Sequence, residues 1–237
     1  MPALPSSGPI SPFRRIVDLS HPMFENMRNG GGWAVTFPLM DNFKRTAMMT
    51  DGKASYETHM MMFPEHCGTH LDAPRHFHEP GLAIDELPLE RLMLPGLLLD
   101  LTHKKAGEPI SIADFEAAEV KAGGRIGPDV ACVCWTGVDK VWGQADMGRN
   151  RPHVPTETAQ WLVDRGMTMF ATDLIGMDDP EEWWDPTHQI WLSNNVCMVQ
   201  QLTRLEELAG EQFLIQAFPI KVRGATGCPV RAVALVL

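Results

Sequence analysis

Short apolar runs recur along the chain at the lengths and spacings that are typical of β-strands. They are rich in β-branched and other large apolar residues, and polar or turn-forming residues separate them. The runs that predict strands are 16–19, 56–63, 97–101, 131–135, 169–175, 196–202, 213–222 and 230–237.

Three segments between these runs carry the start and stop signals of helices. Each opens with Ser or Thr, which caps free backbone N–H groups, and each closes at Gly, which ends a helix easily. The predicted helices start at Ser111 with Asp114, at Thr156, and at Thr203 with Glu206, and they end before Gly123, Gly166 and Gly210 respectively.

Strands and helices alternate without a long linker or an internal repeat, which predicts a single α/β or α+β domain with a mixed sheet over residues 16–237. Residues 1–15 are rich in Pro, Ser and Gly with few apolar anchors, so we expect an N-terminal arm there. Residues 21–55 show no clear period and predict a long loop or lid; the conformation of 176–195 is equally unreadable.

Composition narrows the class of partner. The chain has 237 residues and a formal net charge of −10, which disfavours nucleic acid and anionic membrane surfaces because both attract basic proteins. We therefore expect the partner to be a small molecule, as substrate, or another protein. Five cysteines without regular spacing, together with an N-terminus that lacks the apolar stretch of a signal peptide, predict a reducing, cytoplasmic location.

The histidines are concentrated in one short stretch. Five of the nine lie between positions 59 and 78, and the sequence from Phe63 to Phe77 reads FPEHCGTHLDAPRHF. His66, His70, Asp72 and His76 offer imidazole and carboxylate, which suit zinc, manganese or ferrous iron.

No regular element alone brings these four side chains together. Pro74 would break a helix, and on a straight strand His66 and His70 would lie about 13 Å apart. A bend at Gly68 would fold His66 back towards His70, and the Thr69 hydroxyl could fix that bend. The stretch therefore predicts a metal site.

HCGTHLDAPRHF resembles the H-x-G-T-H-x-D-x-P-x-H signature of the cyclase family of metal-dependent hydrolases, which includes kynurenine formamidase and isatin hydrolase. The segments 18–23, 171–180 and 218–237 resemble further parts of the same family. The resemblance implies an α/β fold around a mixed, partly barrel-like sheet flanked by helices, and a homodimer or homotetramer. It also implies that His66, His70 and Asp72 bind the metal and that His76 is the catalytic acid/base.

The resemblance also points to a departure from the two-zinc formamidases. In those enzymes a later His and, twelve residues on, a Glu hold a second metal. His188 matches the His, but Gln200 stands where the Glu would be. An amide is a weaker ligand than a carboxylate, so we expect one divalent ion, Mn²⁺ or Zn²⁺, with His188 and Gln200 as substrate contacts or a further metal contact.

A metal with three protein ligands keeps coordination positions open for water and substrate, and it activates the bound water. We therefore expect this water to attack the carbonyl of a cyclic or aryl amide, with His76 transferring the proton. Two alternatives stay open: a polyketide-type cyclase that uses the same site for enolisation and ring closure, and a non-catalytic metal-binding protein. Trp33, Trp184 and Trp191 are candidates for an aromatic wall around a planar substrate.

Overall fold

The structure is a computed structural model that describes residues 12–27, 35–144 and 148–237. Eleven strands and four α-helices lie within these ranges. The strands are β1 (Arg15–Asp18), β2 (Leu39–Asp41), β3 (Thr58–His59), β4 (His70–Asp72), β5 (Met93–Asp100), β6 (Ala131–Trp135), β7 (Met169–Thr172), β8 (Cys197–Gln200), β9 (Phe213–Gln216), β10 (Gly227–Pro229) and β11 (Val233–Val236). The helices are α1 (Phe43–Met49), α2 (Ile112–Ala122), α3 (Thr156–Asp164) and α4 (Pro186–Ser193).

Nine of the strands form one mixed sheet in the order β1-β11-β9-β5-β6-β7-β8-β4-β10, and β2 pairs with β3 separately. The central strands β5 to β8 are parallel, and the outer strands on both sides are antiparallel. Helices α2, α3 and α4 connect the parallel strands, as parallel neighbours require a crossover.

The sheet curls so that one of its faces encloses a hydrophobic core. Val17 of β1 and Leu71 of β4 are buried in the same cluster as Val133 of β6. In a flat sheet β1 and β4, seven positions apart, would be roughly 34 Å from each other. The helices cover the other face, where Phe115, Leu162 and Trp191 pack. The predicted α/β fold with a mixed, partly barrel-like sheet is confirmed.

All eight apolar runs overlap a strand, but two strands are much shorter than their runs: only Thr58–His59 within 56–63, and only Phe213–Gln216 within 213–222. The first predicted helix is confirmed with its capping box, because Ser111 Oγ accepts from the Asp114 N–H and the Asp114 carboxylate accepts from the Ser111 N–H at 2.7 Å.

The other two helix predictions need correction. The second helix begins at Thr156, but Pro155 occupies the cap position. The third is only a 3₁₀ turn, Leu205–Leu208, because Thr203 donates its hydroxyl to Asp139 at 2.9 Å instead of capping.

Two helices were not predicted. Helix α1 lies within the segment expected to be a loop or lid, and α4 lies within 176–195. Among the residues that the structure describes, none of these helices is long and apolar enough to cross a lipid bilayer.

Candidate metal centre and active site

Strand β4 carries two of the four residues of the predicted metal site. Residues i and i+2 of a strand share a face, so His70 and Asp72 point the same way while Leu71 between them is fully buried in the opposite direction. The register places His70 opposite Gln200 of β8 and Asp72 opposite Gly227 of β10. The site is thus built on a strand that is paired on both sides.

A bend at Gly68 returns the chain so that His66 reaches Asp72. Gly68 has a φ of 60°, in the left-handed region that glycine adopts without steric penalty. The Nδ1 atom of His66 consequently lies 2.6 Å from Asp72 Oδ1. The Thr69 hydroxyl holds the bend by donating to the Gln201 carbonyl at 2.6 Å. The bend predicted at Gly68 is confirmed.

The His70 ring is held in one orientation. Its Nδ1 donates to the Gly68 carbonyl at 2.7 Å, so Nε2 is the nitrogen that faces Asp72 Oδ1, at 3.3 Å. Histidines that bind metals commonly make such a second hydrogen bond, which orients the ring.

The electrostatics of this pair favour a positive charge. Burial opposes ionisation of Asp72, but His70 and the hydrogen bond from His66 outweigh it and hold the pKa of Asp72 well below its usual value. Burial likewise opposes charge on His70, but Asp72 outweighs it and raises the pKa of His70. The Asp72 carboxylate therefore attracts a proton or a cation to its side of the site.

His76 lies against the same carboxylate. It ends the 3₁₀ turn Pro74–His76, and its ring stacks on the His66 ring with 3.7 Å between centroids. Ligand atoms of His66, Asp72 and His76 all lie within 4.8 Å of one another. Burial, against the attraction of Asp72, lowers the pKa of His76 to about 4, so its imidazole is unprotonated at neutral pH.

His188 and Gln200 complete the far side of the site. Gln200 Oε1 accepts from the Gly176 N–H at 2.8 Å, which turns its Nε2 towards Asp72 Oδ2, to which it donates, and towards His188 Nε2 at 3.3 Å. The Nδ1 of His188 donates to Asp178. Amide hydrogens of Gln200 therefore point to the space between Asp72 and His188.

A second group of possible ligands consists of Asp178, Asp185 and His188, whose ligand atoms lie within 4.8 Å of one another. Asp178 accepts from the Thr187 N–H and from His188, and Arg151 donates to the Asp178 carbonyl at 2.7 Å. The carboxylate oxygens of Asp178 thus already accept hydrogen bonds, and Arg151 supplies positive charge beside them. We therefore interpret Asp178 as the residue that orients His188.

The three predicted tryptophans have different environments. Trp33 lies outside the described residues. Trp184 is 46% exposed in the turn before α4. Trp191 is fully buried against Phe170 and donates to the Ala159 carbonyl at 3.1 Å, so its prediction as part of a substrate wall is wrong.

Four residues of the site were not singled out from the sequence. Asp178 orients His188, and the Phe77 ring lies 4.7 Å from the His76 ring and 5.4 Å from the His188 ring. Glu65 accepts from the Thr226 hydroxyl at 2.6 Å, and Thr226 Oγ1 lies 3.1 Å from His66 Nε2. Adjacency to the motif could have indicated Glu65 and Phe77, but Thr226 is 160 residues from His66 in the sequence.

These donors fit a divalent cation. Imidazole nitrogens of His66 and His70 and a carboxylate oxygen of Asp72 form the borderline-hard set that zinc and manganese accept. The negative charge of Asp72 and the oriented His70 ring meet the requirements of such a site, and His76 adds an unprotonated imidazole beside it.

Residues 17–179 match the model of the Cyclase family, which is described as "Putative cyclase". The matched range covers more than half of the chain and includes the whole of the histidine motif. The chain belongs to the cyclase family. Membership had been predicted from that motif and is confirmed.

Relatives with assigned names are similar over most of their length. An isatin hydrolase of Roseibium aggregatum is 29% identical over 74% of this chain and 73% of its own. A kynurenine formamidase of Salinibacter ruber is 26% identical over 79% and 84%. The crystal structure of an isatin hydrolase bound to the product analogue thioisatinate has a TM-score of 0.81 at 21% identity, covering 94% of this chain and 92% of that one.

The cyclase-family match ends before His188 and Gln200. The interpretation of these two residues therefore rests on the contacts that they make in this structure, in particular the amide hydrogen bond from Gln200 to Asp72.

Proposed function

We propose that this chain is a metal-dependent hydrolase that cleaves a C–N bond of a cyclic or aryl amide, in the manner of an isatin hydrolase or an arylformamidase. The observation that carries the proposal is His76, an unprotonated imidazole stacked on His66 beside the Asp72 carboxylate. The names of the isatin hydrolase and kynurenine formamidase relatives support the reaction class.

His66, His70 and Asp72 would hold the cation, which supplies polarisation of the substrate carbonyl and acidification of water. His76 then does the work of a general base and acid. With a pKa of about 4 it is free at pH 7 to accept a proton from water, and it releases that proton readily to the departing nitrogen.

We propose a single cation, Mn²⁺ or Zn²⁺, in agreement with the expectation from Gln200. The Gln200 amide donates to Asp72 and faces His188, so a second cation between these two residues would meet N–H hydrogens. The N–H end of the Gln200 amide is partially positive, whereas a Glu carboxylate at this position would supply negative charge for a second metal.

We propose that Phe77 and Trp184 contact the planar part of the substrate. Phe77 is 36% exposed and lies between His76 and His188, and Trp184 is partly exposed at the start of α4. Aromatic side chains of this kind bind a flat ring by stacking or edge contacts.

A cytoplasmic location is also part of the proposal. All five cysteines are buried and unpaired, which supports a compartment that keeps thiols reduced.

The reaction is tested with purified protein loaded with Mn²⁺ or Zn²⁺ and incubated in ¹⁸O-labelled water with isatin, N-formylkynurenine and a panel of related amides. We expect label in the carboxylate product of at least one substrate. Absence of label from every product would refute the hydrolase proposal, and ring closure of a polyketide-type substrate without label would instead favour a cyclase.

The roles within the site are tested by separate variants. His66→Ala and Asp72→Ala should lose bound metal, whereas His76→Ala should keep it and lose activity by roughly 10²–10⁴-fold. His103→Ala, at an exposed histidine, is the control and should change neither quantity. Equal metal loss in all three site variants would make His76 a ligand.

A further inference from the structure

A cavity of about 570 Å³ lies beside the second half of β5, and none of the described residues that line it belongs to the metal site. We call it the β5 edge cavity. Its walls are residues 95–98 and Asp100 of β5, the end of α2, Trp135, the segment 208–213 and Leu237. Small-molecule sites typically have volumes of roughly 300–1,000 Å³. The cavity is therefore large enough for a ligand.

One edge of β5 has no strand partner beside this cavity. Leu101 donates its N–H to the Trp135 carbonyl at 2.8 Å, so alternation along the strand turns the N–H and C=O groups of Leu98 and Asp100 to the other edge. β9 pairs with that edge only over residues 93–95. Among the residues that the structure describes, none forms a hydrogen bond with the backbone of Leu98 or Asp100 at this edge. Two donors and two acceptors thus face the cavity.

Strand β9 limits what can pair with this edge. It begins at Phe213, and the Phe213 ring covers Gly96, where a Cβ atom would lie 2.0 Å from Phe213 Cε2. The free part of the edge, from Leu98 to Asp100, measures only about 7 Å, at roughly 3.3 Å per residue. A peptide that paired with it would run into Phe213 at one end. The short edge therefore favours a small molecule over a peptide strand.

The charged side chains that line the cavity are paired with each other or with a neighbour. Asp100 accepts from Lys121 Nζ at 2.6 Å, and Glu211 accepts from Arg14. A charged ligand would have to leave water and would find no unpaired opposite charge among these residues. The ligand that fits is therefore neutral.

Apolar side chains lie on both sides of the plane in which a ligand would meet the edge of β5. Ala118 belongs to the core cluster between the sheet and the helices. Leu208 and Phe213 belong to the cluster that the sheet encloses. A group that hydrogen-bonds to a strand edge lies near the plane of the sheet, so these walls favour a flat molecule.

Trp135 supplies a further donor. Its indole Nε1 is buried, and no described residue accepts a hydrogen bond from it. A buried donor of this kind costs free energy unless it finds an acceptor. Because Trp135 also lines the cavity, an acceptor on a ligand is the natural partner for this group.

We propose that the β5 edge cavity is a binding site for a neutral, planar cyclic amide. The amide in a small ring is cis, so its N–H and C=O lie side by side. It can exchange both hydrogen bonds with the C=O and N–H of Leu98, as a paired residue of an antiparallel strand does. An ordinary peptide bond is trans and points its N–H and C=O in opposite directions. The proposal requires no metal and is independent of the proposed reaction.

The test is a titration of the full-length protein with 2-quinolone, a planar lactam, followed by ¹H–¹⁵N correlation spectra. We expect saturable shifts of the Leu98 and Asp100 amide signals, because their N–H groups face the ligand. N-Methyl-2-quinolone keeps the ring and the carbonyl but lacks the N–H that the Leu98 carbonyl accepts. It should bind at least about tenfold more weakly, since that carbonyl is then covered without a partner.

Two variants test the location of the site. Ala122→Phe places a ring in the cavity from the last turn of α2, and it should abolish the shifts. The matched control is Ala117→Phe, at an exposed alanine of the same helix that does not line the cavity; it should keep the wild-type affinity.

Absence of saturable shifts at Leu98 and Asp100 in the wild type would overturn the proposal, and so would shifts confined to residues of the metal site. Equal affinity for the two quinolones would refute the paired hydrogen bonds to Leu98. This comparison uses only the wild type, so it remains decisive if Ala122→Phe does not fold. A folded Ala122→Phe variant that binds 2-quinolone as tightly as Ala117→Phe would show that the ligand lies elsewhere.

Discussion

Replacement of Gln200 by Glu tests whether the side chain at position 200 determines how many cations the site binds. The Gln200 side chain is 4% exposed and donates to Asp72, which is fully buried. The substitution keeps the size of the side chain but replaces the amide donor by a second carboxyl group. Without metal, two carboxylates in contact inside the protein repel by about 4 kcal/mol at an effective dielectric constant near 20.

The variant can relieve this repulsion by binding one extra proton. A proton on the introduced carboxyl at pH 7 costs about 3.7 kcal/mol relative to its reference pKa near 4.3. A proton on His188, 3.3 Å from the amide nitrogen, costs less, but the hydrogen bond to Asp72 is then lost at about 1.5–3 kcal/mol. We expect the metal-free variant to be less stable than wild type by about 2–4 kcal/mol at pH 7.

The sign of the pH dependence follows from the raised pKa. A group whose pKa is higher in the folded than in the unfolded chain binds more protons in the folded state, so the stability deficit is absent below about pH 4 and grows as the pH rises. Gln200→Met loses the same hydrogen bond without adding charge, and its deficit should not change with pH.

Urea denaturation of metal-free protein at pH 5 and pH 8 measures these differences, and metal analysis after dialysis gives the stoichiometry. We expect one equivalent of Zn²⁺ in wild type and two in the Glu variant, where metal should restore much of the stability. Two equivalents in wild type, or a metal-free Glu variant as stable as wild type at pH 8, would refute the reasoning.

Three further predictions concern single positions. Ser111→Ala removes the side-chain cap of α2 and should lower the free energy of unfolding by about 1 kcal/mol in urea denaturation. Gly227→Ala places a methyl group 2.3 Å from His66 Cε1, so it should weaken Zn²⁺ binding in a chelator competition while the circular dichroism spectrum stays native. Burial lowers the pKa of His21, which stacks on Trp142, to about 4. The unfolded chain therefore binds more protons between about pH 4 and 6.5, and the free energy of unfolding falls as the pH is lowered through this range. His21→Phe should lose less stability than wild type between pH 7 and 4.5 in urea denaturation, and an equal loss would show that His21 does not contribute.

The parts of the site that could be predicted are those that lie close together in the sequence. His66, His70, Asp72 and His76 fall within eleven residues, and the one glycine among them supplies the bend that unites them. Eight of the eleven described strands were readable for a similar reason, because alternation and apolar content are local properties of a segment, whereas the short strands β2, β4 and β10 were not predicted.

Tertiary packing determined what could not be predicted. Trp191 lies three residues from His188, yet on the short helix α4 it faces the sheet and packs on Phe170. Which side of a helix faces a cavity depends on the neighbours of that helix, which the sequence does not reveal. Thr226 likewise meets His66 only because β10 pairs with β4.

The position of β4 has a consequence for the order in which the protein can become active during synthesis. β4 pairs with β8 and β10, whose residues follow it by more than 120 and 150 positions. The nascent chain therefore displays the histidine motif long before its two neighbouring strands leave the ribosome. Such distant pairing slows folding, and the ordered cation site is completed only after residues 227–229 have emerged. The ribosome-bound chain thus carries an incomplete set of metal-binding side chains until β10 has emerged, and high-affinity metal uptake should follow the pairing of β10 with β4.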